Sequence, residues 1–316
     1  MIGRLRQPGS ADSASRQQRG LCLADREIDV LRDALRGHVK ALAVDIGPRT
    51  PSTPNSLVRA ANYITSVFED TGLSVRDQSY EYYDQRVTNL LATVPANAGV
   101  STYYVVGAHY DTVPSTPGAD DNASAVAVML ELAGRLRRAE LKAPVLLAAF
   151  TLEEPPAYLT GHQGSRIFVR NCQRSGDCVL GAIILEMVGY TAPRQRYPYL
   201  PRWPGYPGQG NFIGIIGNWR SLRLGRAVLR GFRRNKHLPV ESLFLPFDGW
   251  IVPETRLSDH ASFWDAGLPA LMVTDTAFFR NPNYHLPTDT IDTLDFTFMA
   301  ELVKSLELAL RELPPV

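Results

Sequence analysis

A histidine and an aspartate two residues apart close the apolar run Gly107-Ala108-His109-Tyr110-Asp111, and an acidic pair, Asp120-Asp121, follows in Gly118–Ser124. Imidazole beside carboxylate is a donor set suited to a divalent metal. Tyr103–Val106 is aromatic and β-branched, so it reads as a strand that stops at the His-x-Asp. Residues two apart on an extended segment share a face. Asp111 can therefore take the N–H that a metal-bound His109 leaves over. The loop Thr112–Ala119 turns on Pro114, Pro117 and Gly118 and returns Asp121 to the same strand end.

Three more segments bring acids and a second imidazole. They are Glu153-Glu154 after Thr151-Leu152, Glu186 within Ile184–Tyr190, and His285 within Asn283–Thr290. The glutamates stand at or in apolar strands, where a lone buried carboxylate is costly or takes up a proton. A shared cation is the economical reason for such groups to converge. Two histidines with carboxylates suit Zn2+, with Co2+ or Mn2+ as substitutes.

The elements that must position these groups alternate in type. Ile28, Leu31, Leu35, Val39 and Leu42 give a helical face from Asp25, and the proline-rich stretch Pro48–Pro54 ends it. A second helix capped by Asn55 or Ser56 runs to about Asp70, followed by strand-like runs at Leu73–Tyr82, Val87–Val94 and Thr102–Ala108. Asn122–Glu140 reads as a helix, Pro144–Thr151 as a strand covered on both faces, Gly164–Asn171 as a helix and Leu180–Val188 as a strand. Strands at Asn211–Ile216 and Pro269–Thr274 and helices at Arg220–Asn235 and Phe296–Leu313 complete the pattern. This predicts an α/β three-layer sandwich, a mostly parallel mixed central sheet flanked by helices, whose carboxyl edge carries the site. Residues 22–316 are expected to form one domain, with residues 1–21 disordered. Thr191–Gly210, with five prolines among tyrosines and glycines, cannot be regular structure and is expected to form an ordered lid or pocket wall.

The bulk numbers remove other classes. The 316 residues carry a net charge of +1, and their short basic clusters fall on helices, which argues against nucleic acid as a partner. No apolar stretch reaches the ~20 residues of a membrane span. Met1–Gly20 has no apolar core of a signal peptide, so the sequence as it stands points to the cytoplasm. Cys172 and Cys178 flank a short polar turn and either pair or remain thiols.

Taken together, Gly107–Asp111, Pro117–Ser124, Leu152–Pro156, Glu186–Tyr190, Ser258–Ser262 and Tyr284–Thr290 resemble the M28 family of zinc aminopeptidases, in family order. The resemblance implies an aminopeptidase-type fold, a peptide substrate and a two-zinc site. It makes Asp121 the bridge, His109 and Glu186 the other ligands of one metal, and Glu154 and His285 those of the second. It also makes Glu153 the general base, Asp111 the carboxylate behind His109, and Tyr284 a donor to the scissile carbonyl. Ser258-Asp259-His260 becomes supporting architecture. Many members have Asp where Glu186 stands. One-zinc relatives, the glutaminyl cyclases, supply an alternative reaction, acyl transfer, with a single zinc. A non-catalytic binding relative is a third reading, and the filled ligand positions speak against it. Of the remaining histidines, His38 and His237 read as helix-surface residues, His162 as a loop residue near Glu154 and His260 as structural. Arg202 and Arg256 are further groups able to meet a substrate carboxylate.

Overall fold

The computed structural model describes residues 26–94, 102–199 and 204–315. The expected disorder of residues 1–21 lies outside them. The strands are β1 (Val75–Tyr82), β2 (Gln85–Val94), β3 (Thr102–His109), β4 (Val145–Phe150), β5 (Cys178–Glu186), β6 (Ile213–Asn218), β7 (Val240–Leu245) and β8 (Ala270–Thr274). They form one sheet in the order β1-β2-β4-β3-β5-β8-β6-β7. β4, β3, β5 and β8 run parallel at its centre, and β7 runs parallel to β6. β1 with β2, β2 with β4, and β6 with β8 are antiparallel. Every residue of β4 is buried, which explains why its sequence shows no polar alternation.

Each face of the sheet is covered by helices, giving the three layers predicted. The helices are α1 (residues 26–39, continuing in wider turns over Lys40–Ile46), α2 (Ser56–Asp70), α3 (Ala125–Leu136), α4 (Gly164–Ser175), α5 (Leu222–Phe232), α6 (His260–Asp265) and α7 (Phe296–Arg311). Val106, Leu147, Ile183 and Val273 pack with α1, α2, α3, α5 and α7. Val105, Leu146, Ile184 and Ala270 pack on the opposite side with Phe168 of α4 and Trp264 of α6. The alternation along each strand assigns one residue to each layer.

Where α5 meets α7, Gly231 lies against the backbone of Ala309, in space that a Cβ would need. Gly231→Ala is expected to cost about 1–3 kcal/mol by forcing the helices apart. The measurement is the urea midpoint at constant m-value, and an unchanged midpoint would refute the close approach.

One boundary and two elements differ from the sequence reading. The helix expected from Asn122 begins at Ala125, because Asp121 and Asn122 adopt non-helical torsions. Asn122 uses its side chain to bind the backbone of Leu185 and Met187. β7 and the six-residue α6 were not anticipated, since an edge strand reading Val-Glu-Ser-Leu-Phe-Leu and one and a half turns of helix carry little periodicity. Cys172 is buried and Cys178 exposed, and both are free thiols in this structure. Among the described residues no helix is long and apolar enough to cross a membrane.

Candidate metal centre

Because β3, β4, β5 and β8 are parallel, their carboxyl ends lie on one edge of the sheet, and each delivers part of the site. His109 is the last residue of β3 and Glu186 the last of β5; Glu153 and Glu154 follow β4, and His285 follows β8. Asp121 comes from the turn that opens α3. His109 Nε2 lies 3.4 Å from Asp121 Oδ1 and 3.4 Å from Glu186 Oε2. His285 Nε2 lies 3.2 Å from Asp121 Oδ2 and 3.3 Å from Glu154 Oε2. These are two triads of donor atoms that share Asp121, one oxygen in each.

The spacing suits a cation better than hydrogen bonding. Four donors around Zn2+ at about 2.0–2.1 Å stand about 3.3 Å from one another. His109 Nε2, Asp121 Oδ1, Glu154 Oε1 and His285 Nε2 are buried without a hydrogen-bond partner. Buried polar atoms are rarely left so, unless an ion or water completes them. His109, Asp121 and Glu154 also form a compact group of donors within 4.8 Å of one another.

The surrounding structure holds the donors by backbone contacts. Asp111, expected behind His109, has its carboxylate 3.6 Å from His109 Nδ1, while its backbone oxygen lies nearer, at 3.1 Å. Its two carboxylate oxygens accept the amides of Glu153 and Glu154, each at 3.1 Å. Asp111 therefore orders the acidic pair as well as facing the histidine. Asp289 does the same for the bridge, accepting the amides of Asp120 and Asp121 at 2.9 and 3.1 Å. Ser258 donates to Glu186 at 2.7 Å. Asp120 points away from the donors, to the Gly189 amide and Asn281, which makes Asp121 the shared residue.

Arg49 completes the frame. It is fully buried, and its guanidinium donates to the carbonyls of Leu42, Gly47, Tyr110, Pro117 and Gly118. The loop Thr112–Ala119 is thus tied down at both ends. Neither Arg49 nor Asp289 was assigned a role from the sequence. Asp289's place beside His285 in one motif was the available signal.

The electrostatics are those of crowded acids facing two imidazoles. Burial raises Glu153 well above its ordinary range, helped by Glu154, Glu186 and Asp259. Burial, with Asp121 nearby, brings Glu154 to about 8 and raises Glu186 as well. Burial would raise Asp121 too, yet His109 and His285 hold it below the usual carboxylate range. Burial opposes charge on His285, but Asp121 and Glu154 lift it to about 10. Tyr284 stacks on His285 with centroids 3.7 Å apart, and burial together with Asp121, Glu154, Glu186 and Glu153 keeps its phenol protonated.

The other candidates lie elsewhere. His38 bonds Tyr63 and Glu131. His162 is exposed, with its ring against Tyr82. His237 sits in a turn beyond α5. Arg256 stacks on Trp250 and pairs with Asp265, and Arg202 lies outside the described residues. His260 contacts Thr255 O at 2.7 Å, and burial lowers its pKa to about 3. A histidine kept neutral in the fold is protonated first in the unfolded chain, so it removes stability as pH falls from about 6.5 toward 3. The unfolding free energy of wild type minus that of His260→Gln should shrink between pH 7 and pH 4; a constant difference would contradict this.

Comparison with known proteins places the chain in a family. Residues 89–307 match Peptidase family M28. The chain is 36% identical to the YfbL protein of Escherichia coli (strain K12) over 283 residues, covering 86% of this chain and 85% of that one. It is 27% identical to a probable leucine aminopeptidase of Arthroderma otae over 225 residues, 68% of this chain and 54% of the fungal one. The chain thus spans about half the length of that curated aminopeptidase. Among solved structures, a zinc aminopeptidase from Bacillus subtilis superposes with a TM-score of 0.68 at 15% identity, covering 88% of this chain and 94% of that one. A glutaminyl cyclase of Porphyromonas gingivalis superposes with a TM-score of 0.66 at 18% identity, covering 88% and 97%.

Proposed function

The chain belongs to peptidase family M28, and from that footing we propose that it is a zinc-dependent aminopeptidase removing N-terminal residues from peptides. One observation carries the reading: two donor triads meet on the two oxygens of one carboxylate, Asp121. His109, Asp121 and Glu186 would hold one zinc, and Asp121, Glu154 and His285 the other. Bound zinc supplies Lewis-acid polarisation of the scissile carbonyl and a water acidic enough to ionise near neutral pH.

The protein's own groups do the rest. Glu153 lies beside the donors, 3.9 Å from His109 Nε2, and belongs to neither triad. A carboxylate there takes the proton of the attacking water and passes it to the leaving amine, the usual role of a positioned acid–base group. Tyr284, protonated and at the rim of the site, donates to the oxygen of the developing oxyanion. Glu186 is one methylene longer than the aspartate common at this position, and Ser258 fixes it by hydrogen bonding one of its oxygens.

The alternative, a glutaminyl-cyclase-like acyl transfer, uses one zinc. Two complete triads favour hydrolysis. The purified chain is expected to bind two zinc ions and to hydrolyse aminoacyl anilides, with loss on chelation and recovery on adding Zn2+. A single tightly held zinc with ammonia release from N-terminal glutaminyl peptides, and no anilide hydrolysis, would replace this reading with the cyclase.

A further inference from the structure

Beside the metal donors lies a cavity of about 100 Å3 that opens on Glu186 and Tyr284 and extends over β8, β6 and β7. Its floor is a single row across the sheet. Glu186 pairs with Thr274, Thr274 with Gly214, and Gly214 with Glu241. All four line the cavity. Residues opposite one another on neighbouring strands project to the same side. The row therefore starts at a metal donor and ends at a second carboxylate, with a glycine leaving the middle of the floor open.

Glu241 has no structural reason to be charged there. Among the described residues its side chain makes no ion pair and no hydrogen bond. It is half-buried, and burial is the sole cause that raises its carboxyl. The neighbouring phenol of Tyr206 donates to Ser242 O at 2.9 Å. Arg196 also lines the cavity but is exposed and makes no ion pair with Glu241 among the described residues. The walls are aromatic and thioether surface, from Tyr197, Tyr206, Phe278 and Met272. Glu254, held by Tyr199, adds a third carboxylate to the lining.

An unpaired carboxylate at the end of an aromatic trough is complementary to a cation on a long apolar stem. Three strand spacings put about 14 Å between the Cα atoms at the two ends of the row, so only a long side chain entering from the metal donors approaches Glu241.

We propose that this cavity receives the side chain of the substrate's N-terminal residue, and that Glu241 selects lysine or arginine there by pairing with its cationic head. The proposal rests on the aminopeptidase reading above. Arginine and lysine stems would lie along Met272 and Phe278 while the head meets Glu241 and the ring of Tyr206.

The test is kcat/KM of the zinc-loaded full chain on the p-nitroanilides of lysine, arginine, leucine and phenylalanine, for wild type, Glu241→Gln and Glu241→Lys. Wild type should favour the basic pair over leucine by at least about tenfold. Glu241→Gln should lower the lysine-to-leucine ratio by about 10- to 100-fold, the range for a hydrogen bond to a charged group, and Glu241→Lys should lower it further. A ratio is insensitive to the fraction of folded enzyme. Leucine or phenylalanine as the best wild-type substrate, or a ratio unmoved by either variant, overturns the proposal while the hydrolysis observed leaves the aminopeptidase reading standing. Hydrolysis of none of the four overturns both.

Discussion

Glu153→Gln should keep its zinc and lose kcat by about 10²–10⁴-fold, the usual contribution of a positioned acid–base group. The change replaces one oxygen by an amide nitrogen, so shape and burial are preserved, and the Glu153 amide keeps its bond to Asp111. Glu153 belongs to neither donor triad, so metal affinity should not depend on it. Glutamine cannot accept the proton of the attacking water or return it to the leaving amine. The loss should therefore fall on kcat, with KM nearly unmoved, because the group acts only as the transition state forms. Turnover of an aminoacyl anilide and zinc content by mass spectrometry settle it. A variant with zinc bound and wild-type turnover would remove Glu153 from the reaction.

The same residue shows why so much of the site was legible. Glu153, Glu154, His109 and Glu186 are polar groups at the ends of apolar runs, where period and composition locate the strand and the sheet's parallel order gathers the ends. Their meeting follows from the fold class once the strands are placed. What escaped was the framework made of backbone hydrogen bonds over long sequence separations. Arg49 reads as one arginine in a proline-rich segment, and only the folded chain shows five carbonyls converging on it. Asp289 holds amides almost a whole domain away in sequence, at Asp120 and Asp121. Asp111 was placed on the correct face, but its bonds to the Glu153 and Glu154 amides depend on how β4 ends, which no spacing encodes. The cavity floor was hidden for a different reason. It depends on the register of β6, β7 and β8, and β7 has too short and mixed a sequence to be recognised as a strand at all.

Asp121→Asn should abolish tight binding at both zinc positions, whereas Glu186→Gln and Glu154→Gln should each weaken one. Asp121 offers one carboxylate oxygen to each triad, 3.4 Å from His109 and 3.2 Å from His285. Asparagine has a single ligating oxygen and presents an amide NH2 to the other imidazole. Its backbone stays held by Asp289, so the loss concerns the metals and not the turn. Because both ions depend on it, adding His285→Ala to Asp121→Asn should cost little more activity than Asp121→Asn alone, the non-additivity of groups that act as a unit. The expected fall in kcat/KM is about 10⁴-fold or more, a loss comparable with removing a member of other catalytic units. Stability supplies an independent reading. Zinc binds only the folded chain, and at a thousandfold excess over its Kd it adds about 4 kcal/mol. A chelator should therefore lower the thermal midpoint of wild type and leave that of Asp121→Asn unmoved. If Asp121→Asn still takes up two zinc ions and melts lower on chelation, the carboxylate is not shared and the two triads are separate sites.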